Sequence, residues 1–247
     1  MIELNKIYNS DCYDILRRME SGSVDLMMQD VPYNMTECEW DEKLDLPKMW
    51  AEWMRVAKPN AAFIFTAKQP FTTELINSNR KLFRYEMIWF KDRATGFLNA
   101  RSMPMPNHEN ILVFYRELPT YNPQVYNGQK SHSMGKTANT QSKTKVYGDF
   151  VRKENLSDEK MPKTVLYYPQ PFPQIHNTQK PTDLFRYIIR TYSNEGDTVF
   201  DGYVGSGTTA DACIIEKRNF IVCENNLEHF NNSVKRIENR LSQPQLF

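Results

Sequence analysis

The sequence lacks the marks of several common protein classes. No stretch of its 247 residues approaches the roughly 18 apolar residues that a membrane helix needs, and the N-terminal MIELNKIYNSD has no apolar signal core. Its four cysteines form no C-x-x-C pair, and its four histidines are scattered. We therefore expect a cytoplasmic protein with reduced thiols, no bound metal and no membrane partner.

Neither acidic nor basic residues dominate, because 31 Lys and Arg face 30 Asp and Glu and leave a net charge of +1. Taken as an average, this balance argues against a protein that coats nucleic acid. The average hides a basic middle: residues 80–163 carry 15 basic and 8 acidic side chains. Tyrosines 121, 126 and 147 lie among them, a composition typical of a surface that grips phosphates and reads bases. A solvated, mobile loop is the alternative for 127–145, and ordering of this stretch on DNA is our hypothesis.

Short apolar segments alternate with helical ones, which predicts an α/β fold with a largely parallel sheet. The predicted strands are 6–9, 24–29, 61–66, 85–91, 110–115, 198–200 and 220–223, and the predicted helices are 13–19, 47–57, 71–78, 181–192, 207–217 and 227–241. From 116 to 174 the periodicity weakens and polar residues dominate. A long irregular insert inside a compact domain is usually functional or disordered.

Residues 198–210, TVFDGYVGSGTTA, predict a strand, a glycine-rich turn and a helix. Glycines let a ligand approach the backbone closely, and the helix start offers free N–H groups. The spacing of Gly202, Gly205 and Gly207 differs from G-x-G-x-x-G, and Thr208 stands where a phosphate-binding loop has lysine. Glu224, at the tip of the next strand, is placed to bind ribose hydroxyls or to cap the following helix. Together these features favour an adenosine-containing cofactor.

A second group, Asp30, Val31, Pro32 and Tyr33, follows a buried strand. An ordinary loop is the alternative, but three motifs in order carry a resemblance: D-V-P-Y at 30–33, H-N-T-Q-K-P at 176–181 and D-G-Y-V-G-S-G-T-T at 201–209. The chain resembles the β-class amino DNA methyltransferases, which have D-P-P-Y, a DNA-reading insert, H-P-T-Q-K-P and D-x-F-x-G-S-G-T-T. The segment 9–12 also resembles the family's G-D segment, whose acid reaches the adenine of the cofactor.

The resemblance covers nearly all of the chain outside roughly 117–173. Residues 95–100 and 108–115 are similar to phage and prophage members in particular. The sequence departs from the family where Val31, Asn177 and Gly202 replace prolines and Tyr203 replaces phenylalanine. Because proline stiffens a turn, the change at Val31 predicts an active but slower enzyme.

This resemblance implies a Rossmann-like class I methyltransferase fold, circularly permuted, with a mixed, mostly parallel seven-stranded sheet and helices on both faces. It implies one catalytic domain over 1–247 with an inserted target-recognition region at 116–174. The implied methyl donor is S-adenosylmethionine, the implied partner is double-stranded DNA, and a homodimer stays open. The implied location is the cytoplasm of a bacterial or phage-infected cell.

The resemblance also implies roles for particular residues. Asp30 and the Pro32 carbonyl would hold the exocyclic amine of the target base, and Tyr33 would stack on that base after it flips out of the duplex. We assign to cofactor binding Asp11, Cys12, His176, Thr178, Gln179, Lys180, Asp201, Gly202, Gly205, Ser206, Gly207, Thr208, Thr209, Glu224 and Asn225. We assign to DNA binding Lys91, Arg93, Arg101, Lys130, Lys136, Lys143 and Lys145.

The activity implied is N6-adenine methylation, because the family more often has serine than aspartate at the first motif position when the base is cytosine. N4-cytosine methylation is the nearest alternative. Methylation of RNA or of protein amides is less favoured, because those families usually place the glycine loop first. A catalytically silent DNA-binding relative is a further alternative, suggested only by Val31. Cytosine-C5 methylation is disfavoured because no cysteine follows a proline. An orphan or phage-borne modification enzyme fits the sequence, and pairing with a restriction enzyme stays open.

Overall fold

The computed structural model describes residues 2–33, 44–130, 139–146, 148–151, 153, 157–174 and 179–242. The chain divides into a larger compact unit, residues 1–122 and 164–247, and a smaller one, residues 123–163. The smaller unit contains two short antiparallel pairs among its described residues. One pair joins β6 (Tyr126–Asn127) to β9 (Glu159–Lys160), and the other joins β7 (Gln141–Thr144) to β8 (Gly148–Val151).

The larger unit is built on an eight-stranded sheet. Its strands are β1 (Lys6–Asn9), β2 (Val24–Gln29), β3 (Ala57–Ala67), β4 (Phe83–Phe90), β5 (His108–Tyr115), β10 (Val165–Tyr167), β11 (Thr198–Asp201) and β12 (Asn219–Glu224). Their order across the sheet is β1-β12-β11-β2-β3-β5-β4-β10. β5 runs antiparallel to both of its neighbours, and the other pairings are parallel.

Six helices accompany this sheet in the described residues: α1 (Cys12–Arg18), α2 (Leu46–Val56), α3 (Phe71–Ser78), α4 (Thr182–Tyr192), α5 (Thr208–Ile215) and α6 (Leu227–Ser242). The buried side chains form two clusters that divide α1–α3 from α4–α6. Alternate residues of β3 belong to different clusters: Phe63 and Phe65 to the first, Ala62 and Ile64 to the second. Since successive strand residues point to opposite faces, the helices cover both faces of the sheet.

The permuted order is visible in the pairings. β11 and β12, near the end of the sequence, lie between β1 and β2, near its start. Asn9 pairs with Glu224, and Phe200 pairs with Met27. The predicted Rossmann-like, mostly parallel, permuted fold is therefore confirmed.

Two details of the fold differ from our predictions. The sheet has eight strands instead of seven, because β10 adds to the free side of β4. The predicted insert spanned 116–174, whereas the smaller unit spans 123–163 and leaves β10 in the larger one. Recognition of a DNA target by the insert stays a prediction. No helix among the described residues is long and apolar enough to cross a membrane.

Candidate functional site

A cavity lies at the carboxyl edge of the sheet, where parallel α/β sheets usually bind ligands. The tips of β2, β11 and β12 and Asp11, two residues after β1, contribute to its lining. Twelve residues that we assigned to the site line it: Asp11, Asp30, Pro32, Gln179, Lys180, Asp201, Gly205, Ser206, Thr208, Thr209, Glu224 and Asn225. Leu44, Phe185, Tyr203, Val204 and His229 also line it and were not predicted.

The glycine loop connects β11 to α5 and forms one wall of this cavity. Gly205 and Gly207 have positive φ values, 50° and 80°, which favour glycine. A Cβ at Gly207 would approach the Cβ of Ser233 to 3.2 Å, whereas a Cβ at Gly205 would meet no described atom within 4 Å. Gly207 thus packs the loop against α6, and Gly205 leaves its backbone open to a ligand.

Gly202 and Cys12 fit together behind this wall. A Cβ at Gly202 would lie only 2.1 Å from the sulfur of Cys12. Cys12 is 3% exposed and does not line the cavity. Its side chain therefore supports the loop from behind instead of lining the cavity, and cofactor binding by Cys12 stays a prediction. Gly202 also faces inward, because its N–H donates to the side chain of Gln29 at 3.2 Å.

Two acidic residues hold the loop in shape. Asp201 accepts hydrogen bonds from the Thr209 hydroxyl and from the N–H of Tyr203. Burial raises the pKa of Asp201 to about 7. The two oxygens of Glu224 accept the N–H groups of Gly205, at 2.9 Å, and of Asn226, at 3.0 Å. Each of these carboxylate oxygens keeps a second lone pair for a ligand hydroxyl.

The chemistry of this part of the cavity fits the adenosine part of S-adenosylmethionine. Asp11, Asp201 and Glu224 supply carboxylates at neighbouring strand tips, which suit hydroxyl and amino donors. The carboxylate of Asp11 is oriented by a hydrogen bond that its Oδ1 accepts from the N–H of Tyr13, at an N–O distance of 2.8 Å. The open backbone at Gly205 permits the close approach that a bulky nucleoside requires.

Asp30, at the tip of β2, receives more donors than its motif alone predicts. The ammonium nitrogen of Lys180 lies 2.7 and 2.6 Å from its two oxygens. The hydroxyl of Tyr33 donates to its Oδ1 at 3.0 Å, and so does the hydroxyl of Thr66. Among the described residues, Oδ1 therefore has three donors and Oδ2 only Lys180.

The rest of the D-V-P-Y turn is fixed by packing. The ring of Tyr33 stacks on Phe71, with centroids 5.4 Å apart. Burial, and then the charge of Asp30, raises the pKa of Tyr33 well above its usual range, so this hydroxyl stays protonated. Val31 is 2% exposed and belongs to the α1–α3 side of the core. Burial thus anchors the position where the family has a stiffening proline.

Lys180 lies at the centre of a buried ionic cluster that we did not predict. Besides contacting Asp30, its nitrogen lies 3.6 Å from Glu109 Oε2. Glu109 also pairs with Lys91, and with Lys68 at 3.2 Å. Burial opposes the charge of Glu109, but Lys180, Lys68 and Lys91 outweigh it and lower the pKa of Glu109 to about 2. Both carboxylates of the cluster therefore meet ammonium groups.

The side chain of Lys91 does not lie on a DNA-facing rim, so that prediction is wrong. Lys91 is 4% exposed, donates to Glu109, and holds its nitrogen 4.5 Å from the centre of the Trp89 ring. Its charge is neutralised by Glu109 inside the protein, because a buried ammonium needs a counter-charge. Arg93 and Arg101, in contrast, are exposed in the β4–β5 loop, residues 91–107.

The remaining predicted residues fall elsewhere. Lys130, Lys143 and Lys145 are exposed in the smaller unit. His176, Thr178 and Lys136 lie outside the described residues, as do Asn177 and Tyr147. Thr66 and Glu109 were missed, although the β3–β5 pairing of Thr66 with Ile111 and of Ala67 with Asn110 brings them close in the sheet. The H-E-N segment at 108–110 was noted only as part of a resemblance.

Relatives of this chain are DNA methyltransferases. The Type II methyltransferase M1.MboII of Moraxella bovis is 27% identical over an alignment 266 residues long that covers 94% of this chain and 95% of the relative. The DNA adenine methyltransferase YhdJ of Escherichia coli K12 is 28% identical and covers 96% of this chain and 83% of its own length.

Solved structures share the fold. The M1.HpyAVI–SAM complex superposes with a TM-score of 0.64 at 22% identity, over 94% of this chain and 98% of the other. The cytosine-N4-specific PvuII DNA methyltransferase gives a TM-score of 0.65 at 15% identity, over 100% of this chain and 89% of the other. A DNA methylase family model, that of the N6 and N4 methyltransferases, matches residues 24–235. The chain therefore belongs to this DNA methylase family and is an S-adenosylmethionine-dependent DNA methyltransferase.

Proposed function

We propose that this enzyme methylates the N6 amine of adenine at specific sites in double-stranded DNA. The observation that carries the proposal is the position of Asp30 and Pro32 in the same cavity as the glycine loop and Glu224. A base amine held at the tip of β2 would thus lie beside the cofactor. The aspartate at the first motif position and the similarity to an adenine methyltransferase support adenine as the base.

The chemical problem is that the amine lone pair of adenine is conjugated with the ring. When bound, the cofactor supplies a methyl group on a positively charged sulfur. The carboxylate of Asp30 and the backbone carbonyl of Pro32 accept hydrogen bonds from the two N–H groups of the amine, so that the lone pair points toward the methyl group. Positioning and electrostatics supply most of the rate, and no covalent enzyme intermediate is required.

The contacts of Asp30 favour one of its oxygens for this task. Of the donors in the described residues, three reach Oδ1 and one reaches Oδ2. A carboxylate oxygen has about two acceptor positions, so Oδ2 is the oxygen from which fewer donors have to be displaced by the amine. Tyr33, held by Phe71 and by its hydrogen bond to Asp30, offers an oriented ring on which a flipped base can stack.

The test is to incubate the protein with duplex DNA and S-adenosylmethionine, digest the DNA to nucleosides and identify the methylated product. We expect N6-methyladenine. Asp30→Ala should reduce transfer at least about 100-fold, because it removes a charged acceptor of the reacting amine, while cofactor affinity persists. Asp14→Ala, on the exposed side of α1, is the matched control.

N4-cytosine methylation is the second candidate, because its target is also a conjugated exocyclic amine and a cytosine-N4 enzyme shares this fold. N4-methylcytosine as the sole product would contradict the adenine proposal. Full transfer by Asp30→Ala would contradict the role of Asp30. If the S-adenosylmethionine carries a labelled methyl group, label that appears in RNA or protein and not in duplex DNA would contradict both candidates.

We also propose where DNA contacts the enzyme. The β4–β5 loop leaves β4 at its carboxyl end, and β4 runs in the same direction as β3, so the loop lies at the site's edge of the sheet. Exposed Phe97 and Leu98 accompany Arg93 and Arg101 there. Apolar tips beside arginines are typical of loops that insert into a groove. Residues 123–163 would add Lys130, Lys143 and Lys145 as phosphate contacts and read the target sequence.

A further inference from the structure

One carboxylate oxygen in the ionic cluster, Glu109 Oε2, is buried and has no hydrogen-bond donor among the described residues. The other oxygen, Oε1, accepts from Lys91 and pairs with Lys68. A buried charged acceptor without a donor is costly, and such groups in native structures call for an explanation. The ammonium of Lys180 lies 3.6 Å from this oxygen.

Lys180 is shared unequally between two carboxylates. Its nitrogen is 2.7 and 2.6 Å from Asp30, within hydrogen-bonding range, and 3.6 Å from Glu109. Its side chain is 6% exposed, so water does not compete freely for the ammonium. A displacement on the order of 1 Å would convert the longer contact into a hydrogen bond. Both arrangements keep one ammonium between two carboxylates, so the net charge of the cluster is the same in each.

Lys180 also stands in the way of the reaction. The amine of the target base has to donate to Asp30, yet Lys180 contacts both oxygens of that carboxylate. An ammonium held there competes for the same lone pairs. Removing it from the site altogether would leave a buried charge unpaired, which costs more than moving it to a nearby acceptor.

We propose that Glu109 is a positioning residue that receives Lys180 from Asp30 when the target amine enters. In the free enzyme the ammonium of Lys180 hydrogen-bonds to Asp30. In the complex with the target base it hydrogen-bonds to Glu109 Oε2, so that Asp30 can accept the amine of the base. This proposal rests on the proposed role of Asp30 as the acceptor of the amine. It adds a function for Lys180 and Glu109 in that step.

The most direct test uses the wild-type protein. A crystal structure with a duplex containing the target site and S-adenosylhomocysteine should place the base at Asp30. We expect Lys180 within about 3 Å of Glu109 Oε2 and no longer hydrogen-bonded to both oxygens of Asp30. Lys180 still on both Asp30 oxygens, with the base seated, would overturn the proposal.

Kinetics provide a second test through Glu109→Gln, which keeps the shape and removes the charge. With enzyme in excess over duplex and saturating cofactor, its single-turnover rate should fall at least about tenfold, the loss expected for one charged hydrogen bond. The dissociation constants for duplex and cofactor should stay within about twofold of wild type, since the transfer of Lys180 follows binding. Glu86→Gln is the matched control, because Glu86 accepts from Asn110 on the same sheet and does not join the cluster.

A merely structural role for Glu109 predicts different results. If Glu109 acts through Lys180, Glu109→Gln should cost nothing more in a Lys180→Met background. Lys91→Met removes a cation that competes with Lys180 for Glu109. The single-turnover rate of this variant should therefore equal or exceed that of wild type. Additive losses in the double variant, or a Lys91→Met as slow as Glu109→Gln with an unchanged melting temperature, would contradict the proposal.

The two levels of inference fail in distinguishable ways. Wild-type enzyme that transfers no label to duplex DNA, or full activity of Asp30→Ala, would defeat the proposed function. An active wild type, an inactive Asp30→Ala and a Glu109→Gln that matches wild type would defeat only the role of Glu109.

Discussion

At the scale of single residues, the departures from the family motifs have physical counterparts. Val31 is fixed by its burial in the core. Gly202 replaces a proline, and a Cβ at this position would overlap the sulfur of Cys12. Motif matching identifies the residues at the strand tips because their order along the chain is fixed by the fold. It could not identify what Lys180 contacts, because its partners lie 150 and 71 positions away in sequence.

The fit of Gly202 to Cys12 makes a specific prediction. Gly202→Ala should lower the free energy of unfolding by about 1–3 kcal/mol, since its Cβ would overlap a buried sulfur. Adding Cys12→Ala removes that sulfur and should restore part of the loss. Urea unfolding of the single and double variants measures both effects.

Cys213→Ala is the matched control, because Cys213 is equally buried but belongs to the other side of the core. It should not restore Gly202→Ala. A double variant with Cys12→Ala that is no more stable than Gly202→Ala would show that the sulfur is not the obstacle.

At the scale of secondary structure, the apolar periodicity predicted α3 with the same limits and seven of the eight sheet strands within a few residues. It missed β10, because three residues among prolines show no periodicity and pair only through the distant β4. Lys91, at the end of the predicted strand 85–91, was assigned to DNA binding, since nothing near it in the sequence points to Glu109, 18 residues later. Long-range ion pairs of this kind leave no local signal.

The β4–β5 loop makes a prediction at this scale. Replacing both Arg93 and Arg101 with alanine should weaken duplex binding and reduce the slope of log affinity against log salt by about 0.9 per lost phosphate contact. The loss should be similar for different DNA sequences, because phosphate contacts carry no sequence information. Fluorescence anisotropy over a salt series measures the slope.

Arg84→Ala is the control for this experiment. Arg84 is exposed near the amino end of β4, at the opposite edge of the sheet. It should leave the slope unchanged. An unaltered slope in the Arg93 and Arg101 double variant would remove the β4–β5 loop from the DNA interface.

At the scale of the whole molecule, the buried ionic groups shape stability in opposite directions. Asp201 has a folded pKa of about 7, above the unfolded value of about 3.9. Its protonated form therefore contributes stability that is complete below about pH 4 and is lost as the pH rises to about 7. Glu109, with a folded pKa of about 2, contributes stability above its unfolded value of about 4.3 that is lost as the pH falls.

Asp201→Asn isolates the first of these effects. Relative to wild type, the variant should gain stability between pH 4 and pH 8, at about 1.4 kcal/mol per unit of pKa shift, up to on the order of 4 kcal/mol. Urea unfolding at several pH values measures the difference. A difference that stays constant across this range would show that Asp201 ionises normally in the folded protein.

The position of β11 and β12 has a consequence for synthesis. These strands lie between β1 and β2 in the sheet but leave the ribosome long after the turn that carries Asp30. Until they arrive, β1 has no neighbour and one edge of β2 is open. The amine-binding turn is thus made early, but the cofactor wall that it needs comes only with residues 198–224. A chain interrupted before them cannot mark DNA, so methylation begins only once the sheet has closed around its last strands.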